Sequence, residues 1–215
     1  DGNPDLAIAN FSGQNISILL GTGSGNFSTP VHYHTGQSPS HIASADFNND
    51  GNVDIAVINA SAPDQNITLL TNDGTGVFST SGTLTLDGNK PLRITPADLN
   101  ADGNVDLVAL TSGPNATVFL GSGDGSFATP THTLLHDAPE TDGSEIIAHD
   151  INRDGHIDVL ASLVGTHNIA VLLGNGTGAL ANLTHYPVGA EPTALAIHDI
   201  NNDGLSDLLV PLFNR

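Results

Sequence analysis

The chain has 215 residues, with 23 acidic side chains against four lysines and arginines, and its formal net charge is −19 at pH 7. So few cations exclude a surface for phosphate backbones, and we therefore expect no nucleic-acid partner and no anionic membrane surface. No apolar run approaches the length of a membrane span, so we also expect no membrane insertion.

Short apolar runs alternate with turns along the whole chain. A first series of runs lies at 6–9, 55–58, 107–110, 159–163 and 208–210, and a second at 16–20, 67–70, 117–120 and 169–173. Glycine-rich turns follow at 21–27, 72–78, 121–127 and 174–180, and each predicts a hairpin to a third, outer strand. A variable loop then leads to a fourth strand, as at 41–45 and 193–198. Four short strands per roughly 50 residues predict an all-β fold of β-propeller blades.

A nine-residue acidic pattern precedes the runs of the first series. It reads Asp-apolar-Asn-x-Asp-Gly-x-x-Asp and begins at residues 46, 98, 150 and 199, with a truncated copy at residues 1–5. Oxygen atoms at positions 1, 3, 5 and 9, with the backbone carbonyl of position 7, match the oxygen shell that Ca²⁺ prefers, and Gly at position 6 allows the bend. The candidate ligands are Asp46, Asn48, Asp50, Asn52 and Asp54; Asp98, Asn100, Asp102, Asn104 and Asp106; Asp150, Asn152, Asp154, His156 and Asp158; Asp199, Asn201, Asp203, Leu205 and Asp207; and Asp1, Asn3 and Asp5.

Two alternatives to this interpretation are an EF-hand and a metal-free turn. An EF-hand needs a glutamate at position 12 and flanking helices, whereas position 12 here is Val57, Ala109, Ala161 or Val210. Asp, Asn and Gly are common turn residues, but three carboxylates in nine residues repel one another unless a cation lies among them. We therefore predict Ca²⁺ rather than Mg²⁺ in a loop between strands, with position 2 in the core and position 7 contributing only its carbonyl.

The acidic pattern, followed by an apolar run ending in Leu-Leu-Gly-x-Gly-x-Gly-x-Phe, resembles the FG-GAP or VCBS-type repeat. The resemblance covers essentially the whole chain. It implies an integrin-α-like β-propeller, commonly seven-bladed, with calcium between the first two strands of a blade. It also implies ligand binding by the loops at the other end of each blade.

The repeats predict a single propeller region over 1–215. It divides into a partial blade at 1–40, blades at about 41–92, 93–144 and 145–192, and a partial blade at 193–215. The simplest explanation is a segment of a larger propeller, and the alternative is an open or intermolecularly closed array. Exposed strand edges would then promote self-association through the half-blade termini.

The favoured function is an extracellular or cell-surface adhesion module, because weak calcium sites are filled outside cells but not in the cytosol. Its protein or carbohydrate ligand would contact loops that vary between repeats, since binding usually resides in variable loops on a rigid scaffold. These loops are 10–15, 59–66, 112–115 and 165–168, and the longer 33–40, 87–91, 137–145 and 189–192.

A structural repeat of a glycosylated surface fibre or coat is the second hypothesis. Eight Asn-x-Ser/Thr triplets would carry the glycans, or arise by chance in turns rich in Asn and Thr. They begin at Asn10, Asn15, Asn26, Asn59, Asn66, Asn115, Asn175 and Asn182.

An enzyme, such as a propeller-based hydrolase or lyase, is the least favoured hypothesis. His132, His136, Asp137, Glu140 and Asp142 fall in the longest loop and could form a metal or acid–base site, although a solvated polar loop is the simpler interpretation. His149 and His198 occupy matching repeat positions, as do His32 and His185, which is typical of scaffold residues.

Overall fold

The computed structural model of this chain describes residues 2–86, 89–136 and 143–213. Every regular element in these ranges is a β-strand, which confirms the all-β prediction. The same ranges contain no helix long and apolar enough to cross a membrane.

The strands form antiparallel sheets in which sequence neighbours pair. The first sheet contains β1 (Leu6–Asn10), β2 (Asn15–Leu19) and β3 (Val31–His34). The second contains β4 (Pro39–Ala45), β5 (Asp54–Asn59), β6 (Asn66–Asn72) and β7 (Phe78–Thr85).

Two further sheets repeat this four-stranded arrangement. One contains β8 (Pro91–Ala97), β9 (Asp106–Thr111), β10 (Asn115–Phe119) and β11 (Thr131–Leu134). The other contains β12 (Gly143–His149), β13 (Asp158–Leu163), β14 (Asn168–Gly174) and β15 (Leu180–Pro187). The four-stranded sheets match the blade unit predicted from the sequence, whereas the exact blade boundaries remain a prediction.

Short strands follow in two small sheets. They are β16 (Glu191–Pro192), β17 (Ala196–His198), β18 (Asp207–Leu209) and β19 (Leu212–Phe213). β16 pairs with β19, and β17 pairs with β18.

The chain divides into two compact units. The first unit is residues 1–91 with the turn 123–126, and the second is 92–122 with 127–215.

The strands after the acidic loops that begin at residues 46, 98 and 150 are the most deeply buried. Every residue of β5, β9 and β13 is buried, whereas the outer strands β3, β7, β11 and β15 are largely exposed. In β13 of the second unit, Val159 and Ala161 pack into one apolar cluster and Leu160 into another. A strand buried on both faces needs a continuous apolar run, which is why these segments show no alternation.

The meander brings two kinds of loop to the same end of each sheet. The acidic loops join β4 to β5, β8 to β9 and β12 to β13, and the glycine turns join β6 to β7, β10 to β11 and β14 to β15. The loops that join β1 to β2, β3 to β4, β5 to β6, β9 to β10 and β13 to β14 lie at the opposite end. We call these two ends the acidic end and the variable end.

Candidate functional site: the acidic loops

Each acidic loop is closed by hydrogen bonds from its own backbone. In the loop 98–106, Asp98 Oδ2 accepts from the Gly103 N–H at 3.0 Å, and Asn100 Oδ1 accepts from the Asp102 N–H at 3.1 Å. The loops that begin at Asp46, Asp150 and Asp199 repeat the first bond at 2.8, 2.9 and 2.7 Å. The side chains of positions 1 and 3 therefore accept hydrogen bonds from the backbone of their own loop, and their role as cation ligands stays a prediction.

Position 4 of the loop adopts a left-handed backbone although it is never glycine. Ala101 has φ 58° and Arg153 has φ 63°, and Asn49 and Asn202 behave alike. Such a conformation is unfavourable for Ala and Arg, and the convergent bonds on either side of it stabilise it. Sequence reasoning missed this feature, because the residue types at position 4 share no property.

The aspartate at position 9 has a role that the sequence did not reveal. Asp106 is fully buried, with Oδ2 accepting from the Leu99 N–H and Oδ1 from the Gly121 N–H, both at 2.8 Å. Asp54 makes the equivalent bonds to Phe47 and Asn72, and Asp158 to Ile151 and Gly174. The Asp106 carboxylate therefore links the start of the acidic loop to the backbone just after β10 in the same sheet.

The carboxylates of one loop influence each other's protonation. Burial raises the pKa of Asp106, and the nearby charges of Asp102 and Asp98 raise it further against its two backbone hydrogen bonds. Burial likewise raises the pKa of Asp54, with smaller contributions from Asp50 and Asp46. The backbone N–H of Asn104 and the side chain of Asn100 lower the pKa of the exposed Asp102.

The fit of these loops to Ca²⁺ depends on their donor set. Within the described ranges, no three His, Asp or Glu side chains are grouped closely enough to form a ready-made metal site. The carboxylate oxygens of the acidic loops face backbone N–H groups. A carboxylate oxygen that accepts one hydrogen bond nevertheless retains a second lone pair. Burial is the main cause of the raised pKa of Asp54 and Asp106, and a divalent cation would relieve the smaller contribution from the neighbouring carboxylates. The residues thus fit a hard cation chemically, with a small rearrangement of the loop.

The truncated first copy is only partly described. Asp5 Oδ1 accepts from the Gly21 N–H at 2.7 Å, as position 9 does in the full copies. Asp1 lies outside the described residues.

The side chain of position 7 lies against a glycine of the neighbouring turn. A Cβ built on Gly74 would lie 2.7 Å from Asn52 Oδ1, and one on Gly23 would lie 2.7 Å from Asn3 Oδ1. A Cβ built on Gly176 would overlap the His156 ring. The sequence did not reveal this packing, and the contribution of the position-7 carbonyl to a cation stays a prediction.

Position 2 enters the core in some copies only. Phe47 and Leu99 are 3% and 2% exposed, as predicted, whereas Ile200 is 56% exposed. The prediction is wrong for Ile200 because the sheet beside it is only two short strands wide.

Two members of the proposed cluster, His132 and His136, are among the described residues. His132 lies in β11 rather than in a loop, and its Nδ1 is 3.0 Å from Thr117 Oγ1, the same pairing as His32 with Ser17 Oγ. His136 is buried, and Asp137, Glu140 and Asp142 lie outside the described residues. His132 is thus a scaffold residue that recurs between repeats.

A family model for the FG-GAP-like repeat matches the chain at residues 1–57, 57–109, 98–161 and 150–210. This chain belongs to the FG-GAP-like repeat family. The resemblance drawn from the sequence is therefore confirmed. No curated protein is similar enough in sequence to count as a match.

Several solved structures share the fold of this FG-GAP-like chain. BBS1N in complex with ARL6DN has a TM-score of 0.66 at 13% identity over 99% of this chain and 59% of its own. An Agrocybe aegerita lectin that recognises non-reducing terminal N-acetylglucosamine has a TM-score of 0.55 at 20% identity, covering 86% and 52%. A variant of the NanB sialidase from Streptococcus pneumoniae has a TM-score of 0.58 at 12% identity, covering 87% and 31%.

These likenesses support the β-propeller fold predicted from the repeats. The FG-GAP-like chain spans between about a third and three fifths of the length of these structures.

Proposed function

We propose that this FG-GAP-like chain is part of an extracellular, calcium-stabilised β-propeller that binds a protein or carbohydrate ligand through its variable end. The observation that carries the proposal is the contrast between the two ends of the sheets. The acidic end is built the same way in each full sheet, while the variable end differs from one sheet to the next.

Regularity at the acidic end is visible in the bonds of position 9. Asp54, Asp106 and Asp158 accept from the N–H groups of Asn72, Gly121 and Gly174, at or just beyond the ends of β6, β10 and β14, at 2.9, 2.8 and 2.9 Å. A repeated geometry of this kind supports a structural role, because each copy performs the same task.

The loops at the variable end differ in residue type, although one backbone bond recurs there. The N–H groups of Thr35, Leu135 and Val188 donate to the carbonyls of Gln14, Pro114 and His167 at 3.1, 2.7 and 3.0 Å. The first unit adds a bond from the Gly36 N–H to Asn59 Oδ1 at 2.8 Å. Different side chains on a common scaffold are typical of a ligand-binding surface.

Calcium would act as a structural ion at the acidic end. Positions 1, 3, 5 and 9 would supply side-chain oxygens and position 7 its carbonyl. When bound, the ion would offset the repulsion between the carboxylates of each loop. Sites of this type are commonly weak enough to need extracellular calcium, which supports a secreted or surface location.

Two structural neighbours support the ligand classes. One is a protein complex and the other a lectin specific for terminal N-acetylglucosamine. We propose a ligand from one of these classes for this chain. The sialidase neighbour keeps a hydrolase as the alternative, to which the scaffold position of His132 lends no support.

Two exposed phenylalanines of the first unit test the assignment of the ligand to the variable end. Phe11 lies in the turn after β1 at the variable end and is 58% exposed, and Phe27 lies in a glycine turn at the acidic end and is 41% exposed. The probe is a set of immobilised glycans that end in N-acetylglucosamine, together with extracellular matrix proteins, in millimolar calcium. We expect Phe11→Ala to reduce binding and Phe27→Ala to leave it unchanged, and the reverse pattern would contradict the proposal.

Thermal unfolding with and without a chelator tests the calcium claim. A ligand that binds only the folded state raises the melting temperature, so we expect a lower Tm after chelation. An identical Tm in both conditions would rule out structural calcium. Light scattering in the same buffers separates a discrete binding module from a calcium-dependent fibre.

A further inference from the structure

The glycine turn of one repeat reaches the acidic loop of the preceding repeat. In the second unit, the Gly178 N–H donates to the Leu99 carbonyl at 3.3 Å. In the first unit, which includes the turn 123–126, the Gly125 N–H donates to the Phe47 carbonyl at 3.1 Å. Leu99 and Phe47 are both position 2 of an acidic loop, so the contact is the same one repeated.

Two glycines of the turn 174–180 have separate partners. Gly176 lies against His156 of the acidic loop in its own repeat. Gly178 has φ 82°, and a Cβ built on it would lie 2.5 Å from Leu120 Cδ2 in the preceding repeat. A side chain at either position is strained by the positive φ, but it would push against a different neighbour in each case.

Leu99 connects the turn to the candidate ligands. Its N–H donates to Asp106 Oδ2 at 2.8 Å, and its carbonyl accepts from Gly178. It lies between Asp98 and Asn100, and its side chain is 2% exposed in the main apolar cluster of the unit. The backbone of the first half of the loop is therefore fixed on one side by its own position 9 and on the other by the next repeat.

We infer that the acidic loops 46–54 and 98–106 acquire their final shape, and with it their cation affinity, from the glycine turn of the following repeat. The cation part of this inference rests on the proposed function, whereas the effect on loop shape does not. Neighbouring repeats are then energetically coupled, and the coupling is reciprocal. A perturbation at a turn acts one repeat earlier in the chain, and a cation in a loop orders the turn one repeat later.

A matched pair of glycine variants tests this inference by amide hydrogen exchange in chelator and in calcium. We expect Gly178→Ala to speed exchange at Asp102 and Gly103 about five- to tenfold, which corresponds to losing one hydrogen bond, and to leave Asp154 and Gly155 unchanged. Gly176→Ala should speed exchange at Asp154 and Gly155 and leave Asp102 and Gly103 unchanged, because Gly176 lies against His156 of the loop 150–158. An effect of Gly178→Ala confined to the loop 150–158, or equal in both loops, would overturn the inference.

The two buffers separate the failure of this inference from the failure of the proposed function. If the loop-specific effect appears in chelator but calcium protects no loop, the coupling stands and the calcium proposal fails. If calcium protects all the loops but Gly178→Ala changes neither exchange nor affinity at 98–106, the coupling fails alone.

A reciprocal experiment covers the case in which Gly178→Ala does not fold. Asp102→Asn changes the exposed centre of the loop 98–106 and leaves the turn untouched. We expect faster exchange of the Gly178 amide in this variant, with the Gly155 amide as the internal control. An unchanged Gly178 amide would overturn the inference.

Discussion

The aspartate at position 9 of the acidic loop has two roles. Asp106 satisfies two backbone N–H groups in the interior, and it is also a candidate cation ligand. Buried N–H groups are costly to leave unpaired, so the residue is required by the fold whether or not a cation is bound. Asp102, by contrast, is exposed and bonds only within its own loop.

Substitution of Asp106 and of Asp102 separates the structural role from the role as a candidate cation ligand. In chelator, we expect Asp106→Ala to lower the free energy of unfolding by about 2–4 kcal/mol, because two buried N–H groups lose their acceptor. Asp102→Ala should have a much smaller effect under the same conditions. Urea unfolding followed by circular dichroism measures both, and equal losses would contradict the structural role of Asp106.

The Asn-x-Ser/Thr triplets differ in what the fold allows. Asn59 is fully buried, its side-chain N–H₂ donates to Asn66 Oδ1 and Thr68 Oγ1 at 2.7 Å, and it accepts from Gly36. Asn182 is exposed in the outer strand β15, with an exposed Thr184 as the triplet hydroxyl. A glycan on Asn59 could not be accommodated, whereas one on Asn182 would extend into solvent.

Secretion from a eukaryotic host tests this distinction. We expect the folded, secreted chain to carry a glycan at Asn182 and none at Asn59, as read by peptide mass spectrometry after enzymatic release. Thr184→Ala should abolish the Asn182 glycan and serve as the control. Occupancy of Asn59 in folded protein would be incompatible with its burial.

Among elements, the three strands β5, β9 and β13 are the most deeply buried. β9 is buried along its whole length, whereas β11 at the other side of the same sheet is largely exposed. A leucine therefore contributes very differently to stability in these two strands.

Leu110 and Leu134 provide a matched comparison. Leu110 in β9 is 1% exposed and belongs to the main apolar cluster, and Leu134 in β11 is 47% exposed. We expect Leu110→Ala to cost about 2–5 kcal/mol, because it leaves a cavity, and Leu134→Ala to cost about 1 kcal/mol or less. Denaturant unfolding of both variants in calcium gives the values, and similar losses would argue against the burial of β9.

Sequence patterns predicted these elements well and their long-range partners poorly. Apolar runs bounded by glycine turns are local signals, so β5, β9 and β13 and the turns after β6, β10 and β14 could be predicted. The partners of Asp106 and Leu99 are Gly121 and Gly178, which belong to other loops. No local period encodes such a pairing. His132 was misplaced for a related reason: its partner Thr117 lies on the neighbouring strand.

For the whole molecule, electrostatic repulsion between carboxylates opposes folding. The formal charge of −19 is concentrated in the acidic loops, and four divalent ions carrying eight charges would reduce it to −11. Without cations, only screening by salt can moderate the repulsion, over a Debye length of about 8 Å at physiological ionic strength.

Salt should therefore partly replace calcium. We expect the Tm in chelator to rise as sodium chloride increases from about 10 mM to 1 M, while the Tm in calcium changes less, so that the two values approach each other. Calorimetry at several salt concentrations measures the gap. A gap that widens with salt would mean that repulsion between carboxylates is not what calcium relieves.

The contact between a glycine turn and the preceding acidic loop also has a consequence for biosynthesis. Leu99 and Gly178 are 79 residues apart, and Phe47 and Gly125 are 78 apart. A chain that emerges from the ribosome with its amino terminus first must therefore extend well over one repeat beyond an acidic loop before that loop is held in place. An acidic loop would therefore finish folding only after about one and a half further repeats have been translated. Each new hairpin would complete the folding of the acidic loop in the preceding repeat.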